Sequence, residues 1–114
     1  ITSEDGVRCD IDQMANPDNI AYLPGHGLLM VAEDTSRHEL NVLWAFDVEK
    51  PDTNPIRVLT VPPGAEVSGI HWYRDVGGHG YLTVAAQHPY LGLEGATTDE
   101  RRSVAGVLGP FPPL

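Results

Sequence analysis

A single cysteine, few cations and no long apolar run remove several classes of function before any motif is considered. Cys9 stands alone, so no internal disulfide can form, and the zinc patterns need more thiols than one. The redox compartment stays open on that count. Seven basic residues face sixteen acidic ones, for a net charge of −9. Phosphate binding needs a basic face, which argues against nucleic acid or an anionic membrane as partner. No apolar run reaches the length of about 18 residues that a membrane helix needs, so no membrane span is expected. No basic n-region followed by an apolar h-region opens the chain, and no signal peptide is visible, although one already removed would leave the same sequence. The chain starts at Ile1 rather than methionine, which suits a processed product or part of a longer polypeptide. No Asn-x-Ser/Thr sequon is present, so no N-glycan is expected. No Gly-x-Ser-x-Gly elbow supports a serine nucleophile.

What the chain does hold is punctuation. Its 114 residues suffice for one small domain. Twelve glycines and ten prolines are scattered rather than repeated, as in a fold of many short strands and turns. Residues 1–15 read as an extended lead-in. Asp5, Asp10 and Asp12 could be imagined as a calcium loop, but their spacing does not match an EF-hand, and a solvated arm is the simpler reading.

From residue 16 onward, polar clusters alternate with short apolar runs. Asn16-Pro17-Asp18-Asn19 leads into Ile20–Leu23, and Pro24-Gly25-His26-Gly27 turns the chain. Leu28–Ala32 is apolar throughout, so both its faces should be covered. It ends at Glu33-Asp34, an unusual finish for a buried strand unless the carboxyls find partners. Asn41–Asp47 is a third strand with Val42, Trp44 and Phe46 on one face. Ile56–Val61 is a fourth, with Ile56, Val58 and Thr60 alternating. Hairpin-length connections make the four a meander.

Gly64-Ala65-Glu66 then opens a second unit: Val67–Tyr73, a Gly-rich turn over 74–80, and Tyr81–Gln87 before His88-Pro89. The layout repeats, with polar groups before the first strand and after the second. Antiparallel pairing puts those two points at the same end. Asp18 should therefore meet Glu33-Asp34, Glu66 should meet Gln87-His88, and the two edges should adjoin. Asp18, Asn19, Glu33, Asp34 and Glu66 offer the oxygens that a hard cation such as calcium takes. The competing reading is turn formers and solvated strand ends.

Other groups carry weaker signals. His71, His79 and His88 are widely spaced for a shared zinc and read as structural or exposed histidines. Trp44, Phe46, Trp72 and Tyr73 read as packing rather than a ligand platform. Thr97 and Glu100 have capping-box spacing, which allows a turn or two of helix through Val104. Pro110 and Pro113 have the spacing of an SH3 ligand, against an ordinary polyproline-like tail. One meander and half of another leave open sheet edges, which proteins normally cover. The missing partners should lie in a longer parent chain or another subunit.

Five segments in order, Asn16–Tyr22, Glu33-Asp34-Thr35, Asn41–Phe46, Gly64–Gly69 and Gln87–Tyr90, resemble the C-terminal part of PhoX-type alkaline phosphatases. The resemblance spans roughly residues 14–90. It implies an all-β fold: about one and a half antiparallel β-propeller-like blades over 16–90, an irregular tail over 91–114, and an assembly incomplete without partner segments. It also implies a calcium-dependent and iron-dependent phosphomonoesterase in an extracytoplasmic space or an organelle lumen. Asp18, Glu33, Asp34 and Glu66 match the family's acidic, ligand-like positions, whereas Gln87-His88-Pro89 would shape the rim. Iron would need the family's other half, whose Cys-Glu-Glu motif and basic phosphate-binding residues this chain does not carry. Tyr90-Leu91-Gly92-Leu93-Glu94 also departs from the family's continuation. Two functions follow as expectations: a fragment of a metal-dependent phosphatase, or a non-catalytic structural or interaction subunit of a larger assembly.

Overall fold

The computed structural model describes residues 13–36 and 38–113. The lead-in through residue 12, with Cys9 and the Asp5–Asp10–Asp12 segment, lies outside the described residues. The chain is all-β, with no helix among the described residues. Seven strands run in sequence among the described residues: β1 (Pro17–Leu23), β2 (Leu28–Glu33), β3 (Val42–Asp47), β4 (Ile56–Thr60), β5 (Glu66–Val76), β6 (His79–Gln87) and β7 (Val104–Phe111). They form two antiparallel open sheets, one ordered β1-β2-β3-β4 and the other β5-β6-β7. Open sheets in this order suit an incomplete propeller-like fold.

One core joins the sheets. Leu23, Met30, Ala32, Leu43 and Ala45 of the first sheet pack with Val67, Leu82 and Val84 of the second, and with Val61 and Ala65 of the connection between them. The outer face of the first sheet is covered as well. Val31, Val42 and Trp44 cluster there with Met14 and Leu29. The continuous apolar run of β2 is thus buried on both sides, as its composition requires.

The second hairpin is tighter than the Gly-rich stretch suggests. β5 extends to Val76 and β6 begins at His79, leaving Gly77 and Gly78 as a two-residue turn with φ of 63° and 91°. Positive φ at both positions is the type I′ geometry that matches strand twist. His79, expected in the turn, is therefore a strand residue.

Two expectations need correction. In β4, the register slips between the Leu43↔Leu59 and Trp44↔Arg57 pairs, so Val58 is an extra residue. The alternation shifts by one there: Ile56 and Leu59, three residues apart, pair with the core residues Ala45 and Leu43, and Val58 is exposed. The stretch 91–114 is also not irregular throughout, because Val104–Phe111 pairs with β6. Its two glycines and proline hide the strand signal, which comes from the neighbour and not from propensity. The Thr97–Glu100 capping bond does form, with Glu100 N–H donating to Thr97 Oγ1 at 3.1 Å. It closes a turn rather than starting a helix. Phe111 sits against Trp72, with ring centroids 5.2 Å apart, so the apolar residue among the terminal prolines belongs to the packing.

Candidate functional site

The site forms where the open ends of two hairpins adjoin. In the first, Pro17 pairs with Glu33 and Asn19 with Ala32, so Asp18 is the extra residue of a bulge. A bulge re-aims a side chain and ends regular pairing. Asp34 follows β2 directly, and its N–H donates to Asn16 O at 3.2 Å. In the second hairpin, Glu66 opens β5 opposite Gln87.

Asp18, Asp34 and Glu66 come together, each offering an oxygen within 4.8 Å of the others. The two aspartates are exposed and Glu66 is half-buried. The Glu66 carboxyl is held above its ordinary pKa, first by a side-chain hydrogen bond with Asp34, then by burial and the negative charge of Asp34. Asp18 adds to the rise, whereas His88 opposes it.

Glu33 is not part of this group. Its side chain is fully buried on the opposite side of the strand end. Oε1 accepts from Ala15 N–H at 3.0 Å and from the Trp44 indole N–H at 2.8 Å. Oε2 accepts from Val42 N–H at 3.1 Å, with His38 Nδ1 at 3.0 Å. Both oxygens are committed inward. Successive strand residues point to opposite faces, so an adjacent acidic pair divides between the outer core and the rim.

The rim is tied above all by Asn41, to which sequence reasoning assigned no role in the site. Buried Asn41 accepts from Thr35 N–H and donates to Ala65 O, both at 2.8 Å. One side chain therefore spans from the residue after Asp34 to the residue before Glu66. Thr35 Oγ1 donates to Asn16 Oδ1 at 2.6 Å. Asn19 Nδ2 donates to Asp18 Oδ2 at 2.9 Å. The available signal was the asparagine opening a strand beside acidic neighbours, a residue type that commonly bonds local backbone.

His88 closes the far side. Its Nδ1 lies 2.9 Å from Gly64 O, and its Nε2 lies 3.7 Å from Glu66 Oε1. Asn16, His88 and Tyr90 all have positive φ, at 45°, 41° and 59°. Gly64 has φ 78°, and a Cβ there would meet Leu91 N at 2.6 Å. Backbone in such conformations persists only where surroundings over-determine it. No group of three metal-type donors among the described residues includes a histidine, so His71, His79 and His88 share no site.

Chemically, the arrangement is three convergent carboxyls with one hydrogen-bonded pair and an imidazole at the margin. That donor set fits a hard divalent cation, which takes carboxylate oxygens. No family model, curated protein or solved structure matches the chain.

Proposed function

We propose that the chain is the C-terminal fragment of a PhoX-like metal-dependent phosphomonoesterase, with Asp18, Asp34 and Glu66 holding a divalent cation, calcium by donor chemistry. The observation that carries this reading is the meeting of three carboxyls from residues 18, 34 and 66. The Glu66 carboxyl is held above its ordinary pKa first by its hydrogen bond with Asp34, then by burial and by the repulsion of like charges. A bound cation would supply Lewis-acid stabilisation of phosphoryl oxygens. This chain's residues would hold and orient: Asn41 sets the spacing between the strand ends, and His88 limits the movement of Glu66. Iron, basic phosphate-binding groups and leaving-group stabilisation would come from the other half of the fold. The implied compartment is extracytoplasmic or an organelle lumen.

The second reading is a non-catalytic structural or interaction subunit of a larger assembly. The edges of β4 and β7, open among the described residues, favour it, because exposed strand edges are normally covered.

Calcium titration by calorimetry, hydrolysis of p-nitrophenyl phosphate with added calcium, and the intact mass of the native protein test both readings. Saturable calcium binding that is lost in Asp34→Asn supports the metal site. Turnover by a much larger parent carrying a Cys-Glu-Glu motif removes the subunit reading. A small native mass without turnover removes the enzyme reading.

A further inference from the structure

The two sheets do not meet along their whole width. β5 lies against β1 and β2, but on the β4–β7 side a cavity of about 460 Å³ opens between them. Leu59 and Val61 line one wall, and Val84, Ala86, Val104 and Gly106 line the other. Val104 faces this gap yet is 61% exposed. A Cβ on Gly106 would meet nothing within 4 Å. Apolar surface that belongs to a core is thus left without a packing partner. β7 bounds the gap and, among the described residues, pairs only with β6, which leaves its other edge open.

We infer that the β7 edge and this cavity bind an extended segment of a partner polypeptide, added as a fourth strand. The backbone edge calls for a strand, because its free N–H and C=O groups alternate at strand spacing. The cavity calls for apolar side chains at every second position. Charge selects the flank. Asp99, Glu100 and Arg102 form the rim, and Arg102 Nη2 lies 3.4 Å from Asp99 Oδ1. Glu100 has no ion-pair partner among the described residues. The segment therefore carries a lysine or arginine beside its apolar positions. This inference goes beyond the phosphatase reading and does not involve the carboxyl cluster.

The test uses a fluorescein-labelled peptide of alternating valine and threonine flanked by lysines, titrated with the full chain in EDTA. Anisotropy reads affinity, and hydrogen exchange reads protection across residues 104–108. Saturable binding with new protection there is expected. Gly106→Trp, which fills the cavity, should weaken binding by about tenfold, equivalent to roughly 1.4 kcal/mol. Glu100→Lys on the surface should weaken it by about threefold, as for a rim charge. Val107→Lys, on the opposite face of β7, should leave binding unchanged, and circular dichroism checks that each variant folds. A peptide N-methylated at alternate amides should not bind. Absent binding, binding without protection at 104–108, or equal affinity of Gly106→Trp or the methylated peptide would overturn the inference. So would self-association of the chain that the peptide cannot displace, which would assign the edge to a second copy. Since EDTA removes metal throughout, failure here leaves the proposed cation site standing.

Discussion

Glu33 and Asp34 are neighbours of the same charge, yet one is interior and the other is at the rim. Four groups surround the Glu33 carboxyl: two backbone N–H groups, the Trp44 indole and the His38 ring. Glu33→Gln keeps the shape but replaces one accepting oxygen with an N–H₂ donor. Buried donors then lose their acceptor, and the folded state should lose about 2–4 kcal/mol. Urea denaturation measures this, and calcium affinity at the rim should stay nearly constant if Glu33 is not a ligand. Glu66 behaves in the reverse sense. Its folded pKa is raised, so its contribution to stability is complete below the unfolded pKa. That contribution is lost as pH rises through the folded value. At neutral pH without metal, Glu66→Gln should therefore be more stable than the parent, with a flatter dependence on pH above the ordinary carboxylate range. If Glu66 ligates calcium as proposed, the order should invert in excess calcium, because the variant would lack one ligand. Thermal unfolding with EDTA and with calcium at several pH values reads both effects.

Among the elements, small local devices decide where side chains point. The bulge at Asp18 turns it out of regular pairing, and the Gly77-Gly78 turn sets the register of β5 on β6. Register pairs Trp72 with Leu82, and the Trp72 indole lies over the backbone of β6 at Gly80, two residues away. A Cβ at Gly80 would lie 2.6 Å from Trp72 Cζ2 and closer still to Cη2. The indole is held on its other sides by His26 and Phe111, at centroid separations of 5.5 and 5.2 Å. Gly80→Ala should consequently cost about 1–3 kcal/mol through overpacking. Denaturation gives the cost, and a change in near-ultraviolet circular dichroism would locate it at the indole. An unchanged aromatic signal with full stability would contradict this packing. The β strands themselves were largely readable, because Ile20–Leu23, Leu28–Ala32 and Tyr81–Gln87 are short apolar runs bounded by turn formers. β7 was not, because Val104–Phe111 owes its conformation to β6.

At the scale of the whole molecule, Asn41 couples the first sheet to the start of the second. Asn41→Ala would remove the hydrogen bonds that its side chain makes with Thr35 N–H and Ala65 O, at a cost of about 1–3 kcal/mol. It would also release the spacing between Asp34 and Glu66. If those residues ligate calcium, affinity should fall by about tenfold, the scale of an outer-shell loss. Calorimetry on the folded variant checks this, and unchanged affinity would show that the two strand ends are positioned by the core alone. Composition and local pattern were enough to determine the all-β class, most hairpins and the end of each ribbon where polar groups gather, since these depend on alternation and turn chemistry within a few residues. They were not enough to separate Glu33 from Asp34, to reveal Asn41 as the tie, or to show that the sheets gape between β4 and β7. Those outcomes depend on which face of a strand is covered and on how two sheets pack, and both are set by partners distant in the chain.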